Sequence, residues 1–147
     1  MDRQALATRV ARGMYARDFA AQRNGVEILE VGPGFARLAM TVRREMLNGH
    51  GLCHGGYIFF LADTAFAYAC NADNHVTVAL ACHISFVAPA REGERLVAVA
   101  REVARAGRTG VFDVTVMDGE GRIVASFRGN SYRTRGQVVE VAEPQPA

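Results

Sequence analysis

One acid interrupts the longest apolar run in the chain: Asp63, within Tyr57–Cys70 (YIFFLADTAFAYAC). The run is too long for an ordinary strand. It follows a polar, glycine-rich stretch, Leu47–Gly56 (LNGHGLCHGG), so a helix entered through Cys53-His54-Gly55-Gly56 is expected. Apolar residues fall on nearly every side of this helix, as in a helix buried in the middle of a fold. An ionisable group there costs free energy unless it is paired or used. The residues one turn away from Asp63 are Phe59, Phe60, Phe66 and Ala67, and none can pair with a carboxylate; the adjacent hydroxyl is Thr64. A carboxyl in apolar surroundings titrates above its ordinary range, which suits a general base. The alternative is a structural acid satisfied by groups from elsewhere in the fold.

His54-Gly55-Gly56 admits two readings. It is a glycine turn that lets a loop enter a helix. It is also a set of bare backbone N–H groups at a helix N-terminus, able to hold an anion or a developing oxyanion. Gly55 and Asp63 are eight positions apart, which at ~1.5 Å per residue separates them by about 12 Å along one helix. A base and an oxyanion donor must both lie about 3 Å from one reacting group. Two such helices, antiparallel about a two-fold axis, bring Gly55 of one chain to Asp63 of another, so an active site here is a shared one. Asn48 is placed to hold a water or the loop, and His54 to orient the loop or touch substrate.

Other chemistries fit less well. His50, Cys53 and His54 match no familiar metal-ligand spacing, so no metal and no cofactor is expected. Ser85, Ser126 and Ser131 fall on strands without a nucleophile elbow, and Cys53 lacks a partner arrangement. All 17 basic residues are arginine, which excludes Schiff-base chemistry by a lysine. Arg101, Arg105 and Arg108 flank Gly107, either as a solvated charged face or as a contact for a phosphate-rich ligand. Phe59, Phe60, Phe66 and Tyr68 read as core, some of them lining an acyl pocket.

The elements that must position these groups follow from periodicity. The chain has 147 residues, 50% of them hydrophobic, and one domain spanning 1–147 is expected. Residues 2–22 repeat apolar side chains at helical spacing, with Gly25 as a left-handed cap. Strands are expected over Val26–Val31, Phe35–Val42, His75–Val87, Arg95–Ala104, Thr109–Met117 and Arg122–Arg133, and a frayed tail from Val138. The sum is an α+β fold, one curved antiparallel sheet of five or six strands around a central helix. The edge strand His75–Val87 is a candidate for pairing across a two-fold axis. A net charge of +2 gives no case for nucleic acid. Neither a membrane span nor a signal peptide is expected. Three cysteines without CxxC spacing fit free thiols in a reducing cytoplasm.

Asn48-Gly49-x-x-x-x-His54-Gly55-Gly56 followed by Leu61-Ala62-Asp63-Thr64-Ala65-Phe66-Ala67 resembles the hot-dog-fold acyl-CoA thioesterases, more narrowly the PaaI type found beside bacterial phenylacetate degradation. The resemblance runs on through Phe86-x-x-Pro89, Gly107-Arg108-Thr109-Gly110 and Phe127-Arg128-Gly129, and covers roughly residues 5–135. It implies dimers, usually tetramers, with an acyl-CoA substrate of aryl-acetyl type. It implies Asp63 as base or nucleophile, Gly55 N–H as the donor to the thioester carbonyl, and Asn48 and His54 beside the thioester. Gly56, Thr64 and Phe59 then fall on the substrate side, with Gly107, Arg108, Thr109 and Gly110 near CoA. A hot-dog enoyl-CoA hydratase and a non-enzymatic acyl-CoA sensor are the alternatives.

Overall fold

The computed structural model describes residues 1–141. The N-terminal helical segment divides in two. Asp2 accepts from the Ala5 N–H (2.7 Å) to cap α1 (Arg3–Tyr15), and Asp18 accepts from the Ala21 N–H (3.0 Å) to start α2 (Phe19–Arg23). One continuous helix was expected here. Asp18 restarts it because a short acidic side chain satisfies helix-start N–H groups better than it continues a helix. Gly25 follows with a φ of 68°, the left-handed cap expected.

Strands β1 (Glu27–Gly32) and β2 (Phe35–Thr41) form a hairpin around Pro33-Gly34. The central helix α3 (Gly55–Cys70) comes next, then β3 (Thr77–Phe86), β4 (Arg95–Ala106), β5 (Thr109–Met117) and β6 (Ile123–Arg133). The six strands make one antiparallel sheet in the order β1-β2-β4-β5-β6-β3. Register shifts at Ile28/Glu30, Ala79/Ala81, Glu102/Ala104 and Val116/Met117 mark bulges, which bend strands and let the sheet curl around α3. This is the hot-dog arrangement. β6 starts one residue later than expected because Arg122 completes the turn before it, donating its N–H and Nε to the two carboxylate oxygens of Asp118 (2.9 and 3.0 Å).

The core lies between α3 and the concave face of the sheet. Ile58, Leu61, Ala62, Ala65, Phe66 and Ala69 from the helix meet Leu38, Met40, Leu96, Phe112, Val114 and Phe127 from the strands. Gly129 is needed at its position: a Cβ there would lie 2.8 Å from carbons of the Phe66 ring. The segment from Val138, expected to fray, is strapped along α1 as far as the description reaches. Arg9 donates to the Glu140 carbonyl (2.7 Å), Arg17 to that of Val138 (3.1 Å), and the Asn74 side chain pairs with both backbone groups of Val139 (3.0 and 2.9 Å). The remainder of that expected tail, 142–147, lies outside the described residues. Among the described residues no helix is long and apolar enough to cross a membrane.

Gly129→Ala is expected to lower the free energy of unfolding by about 1–3 kcal/mol, the usual range for overpacking. Phe66→Leu in the same chain should recover part of the loss. Urea denaturation of the single and double variants tests the contact, and strictly additive effects would refute it.

Candidate active site

The start of α3 is built by the loop before it. Asn48 Oδ1 accepts from the N–H groups of His50 (2.9 Å) and Leu52 (3.2 Å), and its backbone N–H donates to the Leu52 carbonyl (2.7 Å). Asn48 therefore shapes the loop, while its Nδ2 finds no acceptor among the described residues. The loop is pinned where Cys53 N–H donates to Ala90 (2.8 Å) and His54 N–H to Met46 (2.7 Å). His54 is the N-cap: its Nδ1 accepts from the Gly56 N–H at 2.8 Å, and its carbonyl accepts from Tyr57 N–H at 2.9 Å. A Cβ at residue 56 would crowd that ring at 3.0 Å, which accounts for the second glycine. The Gly55 N–H has no acceptor among the described residues. A free donor at the positive end of a helix is ready for an incoming oxygen.

Asp63 lies two turns further on, half-buried. Burial raises its pKa above the ordinary carboxylate value of 3.8. Among the described residues its carboxylate makes no hydrogen bond or ion pair, as its apolar helical neighbours imply. The Thr64 hydroxyl donates to the Phe60 carbonyl (2.6 Å) within its own helix and is buried, so it serves the helix backbone. Phe59 packs edge-on against Phe127, with centroids 5.5 Å apart. Cys53 is no ready nucleophile: burial and then Glu94 push its thiol up to about 11. No three His, Cys, Asp or Glu side chains among the described residues gather as a metal site.

The edge strand β3 runs beside both groups. Cys82, Ile84 and Phe86 alternate with the exposed His83 and Ser85, and Cys82 and Ile84 pack on the core. Burial and then the Asp63 charge raise the Cys82 thiol. At the other end, a Cβ placed on Gly55 would meet the Phe86 ring at 3.0–3.6 Å. From sequence, Phe86 was noted only within the Phe86-x-x-Pro89 motif and Cys82 only as a free thiol, neither with a role in the site; their two-residue alternation within an expected strand was the further signal.

The arginine loop is elsewhere. Gly107 (φ 60°) and Arg108 form the tip between β4 and β5, and the Thr109 hydroxyl donates to the Ala106 carbonyl (3.0 Å). Gly110 faces inwards, where a Cβ would lie 2.7 Å from Ser131 Oγ. Arg105 is held by Asp73 (3.0 Å) and Glu102 (2.8 Å), Arg133 also binds Asp73, and Arg101 stacks on Phe35 at 4.7 Å. Burial alone would raise the Asp73 pKa, but Arg105, Arg133 and His75 hold it below the ordinary range. Arg108 donates only to the Arg133 carbonyl (3.3 Å) and has no acidic partner among the described residues. Residues 107–110 border Cys70, the last residue of α3. Within one protomer the helix length, ~22 Å at 1.5 Å per residue, keeps this loop apart from Gly55.

A six-stranded antiparallel sheet curled around one buried helix is the fold of the hot-dog thioesterases. The sequence profile of the thioesterase superfamily matches residues 50–125, and the chain belongs to that family, within it to the PaaI-type enzymes that hydrolyse thioesters. The acyl-coenzyme A thioesterase PaaI of Escherichia coli (strain K12) is 44% identical over 128 residues, 87% of this chain and 91% of that protein. The solved structure of the E. coli PaaI protein from the phenylacetic acid degradation operon superposes with a TM-score of 0.91 at 43% identity, covering 92% of this chain and 99% of that one. A hypothetical thioesterase from Streptococcus pneumoniae, solved with coenzyme A, gives 0.79 at 26% identity, covering 84% and 98%.

Two stability measurements follow. His54→Ala should cost about 1 kcal/mol through loss of the cap, with His54→Asn recovering most of it; equal midpoints for all three chains would remove the cap from the account. Asp63→Asn should raise the melting temperature at neutral pH. The folded-state pKa of Asp63 is raised, so its ionised form penalises the fold once pH exceeds the ordinary value of 3.8, and the penalty is absent below it. The gap between variant and wild type should narrow as pH falls towards that value, and a constant gap would refute the burial cost.

Proposed function

We propose that this protein is an acyl-CoA thioesterase acting on aryl-acetyl-CoA esters such as phenylacetyl- or hydroxyphenylacetyl-CoA. The observation that carries the reading is one helix bearing, among the described residues, an unpaired glycine N–H at its start and an unpaired, desolvated carboxylate eight residues on. The aryl-acetyl assignment is supported by the operon named for the E. coli relative.

The thioester carbonyl oxygen binds at the Gly55 N–H. Asp63 takes a proton from water, whose oxygen attacks the carbonyl carbon; alternatively the carboxylate attacks directly to give an anhydride that water opens. The tetrahedral oxyanion is held by the helix-end donor, an interaction of the kind typically worth ~3–4 kcal/mol. Collapse breaks the C–S bond and releases CoA, protonated on sulfur, and the free acid. Asn48 Nδ2 and His54 place water or thioester beside Gly55. No cofactor takes part in these steps.

Each site joins two copies of the chain. β3 is an edge strand with Val78 and Leu80 exposed (47% and 61%), apolar surface that pairing across a two-fold axis would cover. With α3 antiparallel to its counterpart, Asp63 of one copy meets Gly55 of the other, and the Gly107–Gly110 tip arrives from the second copy with Arg108 towards the CoA phosphates. Gly56, Thr64 and Phe59 then flank the acyl end through the helix they build. The assembly is a dimer or a pair of dimers of 1–147 domains, working in a reducing cytoplasm where Cys53, Cys70 and Cys82 stay free.

Thiol release from phenylacetyl-, hydroxyphenylacetyl-, benzoyl-, short- and long-chain acyl-CoA esters tests the reading. Aryl-acetyl esters should turn over fastest, and Asp63→Ala or Asp63→Asn should lower kcat ~10²–10⁴-fold, the usual worth of a general base. Near-normal turnover in either variant would remove Asp63 from the mechanism. Binding of CoA esters without turnover in the wild type would leave a sensor. For the shared site, Gly55→Pro deletes the donor at the first helical position, where proline is tolerated. Mixed with Asp63→Ala chains, it should regain activity in heterodimers, each with one intact site; silence after confirmed chain exchange would refute sharing.

A further inference from the structure

Phe86 differs from the other aromatic side chains beside α3. Phe59, Phe127, Phe66 and Phe112 form a continuous chain of contacts with centroids 5.5, 5.9 and 5.5 Å apart, each ring satisfied by the next. Phe86 belongs to no aromatic pair among the described residues and is 54% exposed. One part of its ring lies on Gly55, and the rest is open. Its backbone is fixed: Phe86 sits opposite Ala125, and the next two N–H groups, of Val87 and Ala88, both donate to the Val124 carbonyl (2.8 and 3.2 Å). The ring is thus a positioned apolar surface at the mouth of the helix N-terminus.

From this geometry we infer that Phe86 is the specificity-determining residue for the acyl group, its ring receiving the aromatic ring of an aryl-acetyl thioester. The inference rests on the proposed thioesterase reading. A carbonyl oxygen held at the Gly55 N–H leaves the aryl ring of such an ester two bonds from the carbonyl carbon, and Phe86 is the side chain already against that glycine. Glycine at 55 therefore serves twice, as a donor and as the space that lets Phe86 approach. A straight alkyl chain would touch the same surface without the aromatic pairing, which in protein interiors adds selectivity beyond simple burial.

The test compares phenylacetyl-CoA with butanoyl-CoA in wild type, Phe86→Leu and Phe86→Tyr. The ratio of the two kcat/KM values should fall about 3–10-fold in Phe86→Leu, the size of one aromatic pair, and stay within about 2-fold in Phe86→Tyr, which keeps that pair. An unchanged ratio in Phe86→Leu, including a parallel loss with both esters, would overturn the inference. The chain contains no tryptophan, which gives a second readout independent of turnover and of the leucine variant's assembly. In the double variant Asp63→Asn, Phe86→Trp, phenylacetyl-CoA should shift the emission and butanoyl-CoA, with the same CoA moiety, should not; equal responses would also overturn it. A wild type that releases thiol from no ester of the wider panel defeats the thioesterase reading itself, and one that cleaves butanoyl-CoA but no aryl-acetyl ester defeats the aryl assignment alone.

Discussion

The rest of the structure depends on burying a helix that is apolar almost all round. Such a helix cannot rest on a flat sheet, because one face would cover only half of it. The bulged strands curl, and the large side chains of α3 find partners from β2 to β6. Each fully buried large side chain contributes ~1.5–3 kcal/mol relative to exposure, and the close approach of Phe66 to β6 is possible because residue 129 has no side chain. Burial on this scale can carry an acid in the middle of the helix without loss of the fold.

That acid and the helix start express the same economy. The groups in the candidate site are those left without partners among the described residues: the Gly55 N–H, the Asn48 Nδ2 and the Asp63 carboxylate. Around them almost everything polar is satisfied. His54 caps Gly56, Thr64 bonds back to Phe60, and Asp118 takes the N–H groups of Glu120 and Arg122. The contrast separates structural polarity from reactive polarity more sharply than burial does, since Thr64 and Asp63 are neighbours with opposite standing.

Much of this was legible in the sequence. The six strands and the central helix follow from period-two and apolar runs, and the acid stood out because nothing one turn away could pair with it. The break at Asp18 was not legible, since Phe19 resumes the apolar pattern of Leu6, Val10 and Met14 directly after it and only the cap geometry reveals a restart. The strap at Val138–Glu140 was hidden because its partners, Arg9, Arg17 and Asn74, are remote in sequence. The loop of arginines was legible as charge, but its division into Arg105, neutralised by acids, and Arg108, without an acidic partner among the described residues, needed the tertiary structure. Phe86 was visible in the Phe86-x-x-Pro89 motif but carried no role there, because only the tertiary structure sets its ring against Gly55.

The strand order also sets a timetable for the newborn chain. β3 is made in the middle of the sequence, yet its one neighbour in the sheet is β6, the last strand. Until β6 has left the ribosome, β3 has no ladder to join and one flank of α3 stays uncovered. At ~5–20 residues per second this lasts a few seconds. The cell must shield Phe59 and Phe66, whose aromatic partner Phe127 is still to be made, through that interval, so premature termination before Ile123 would yield a product that is sticky rather than merely inactive.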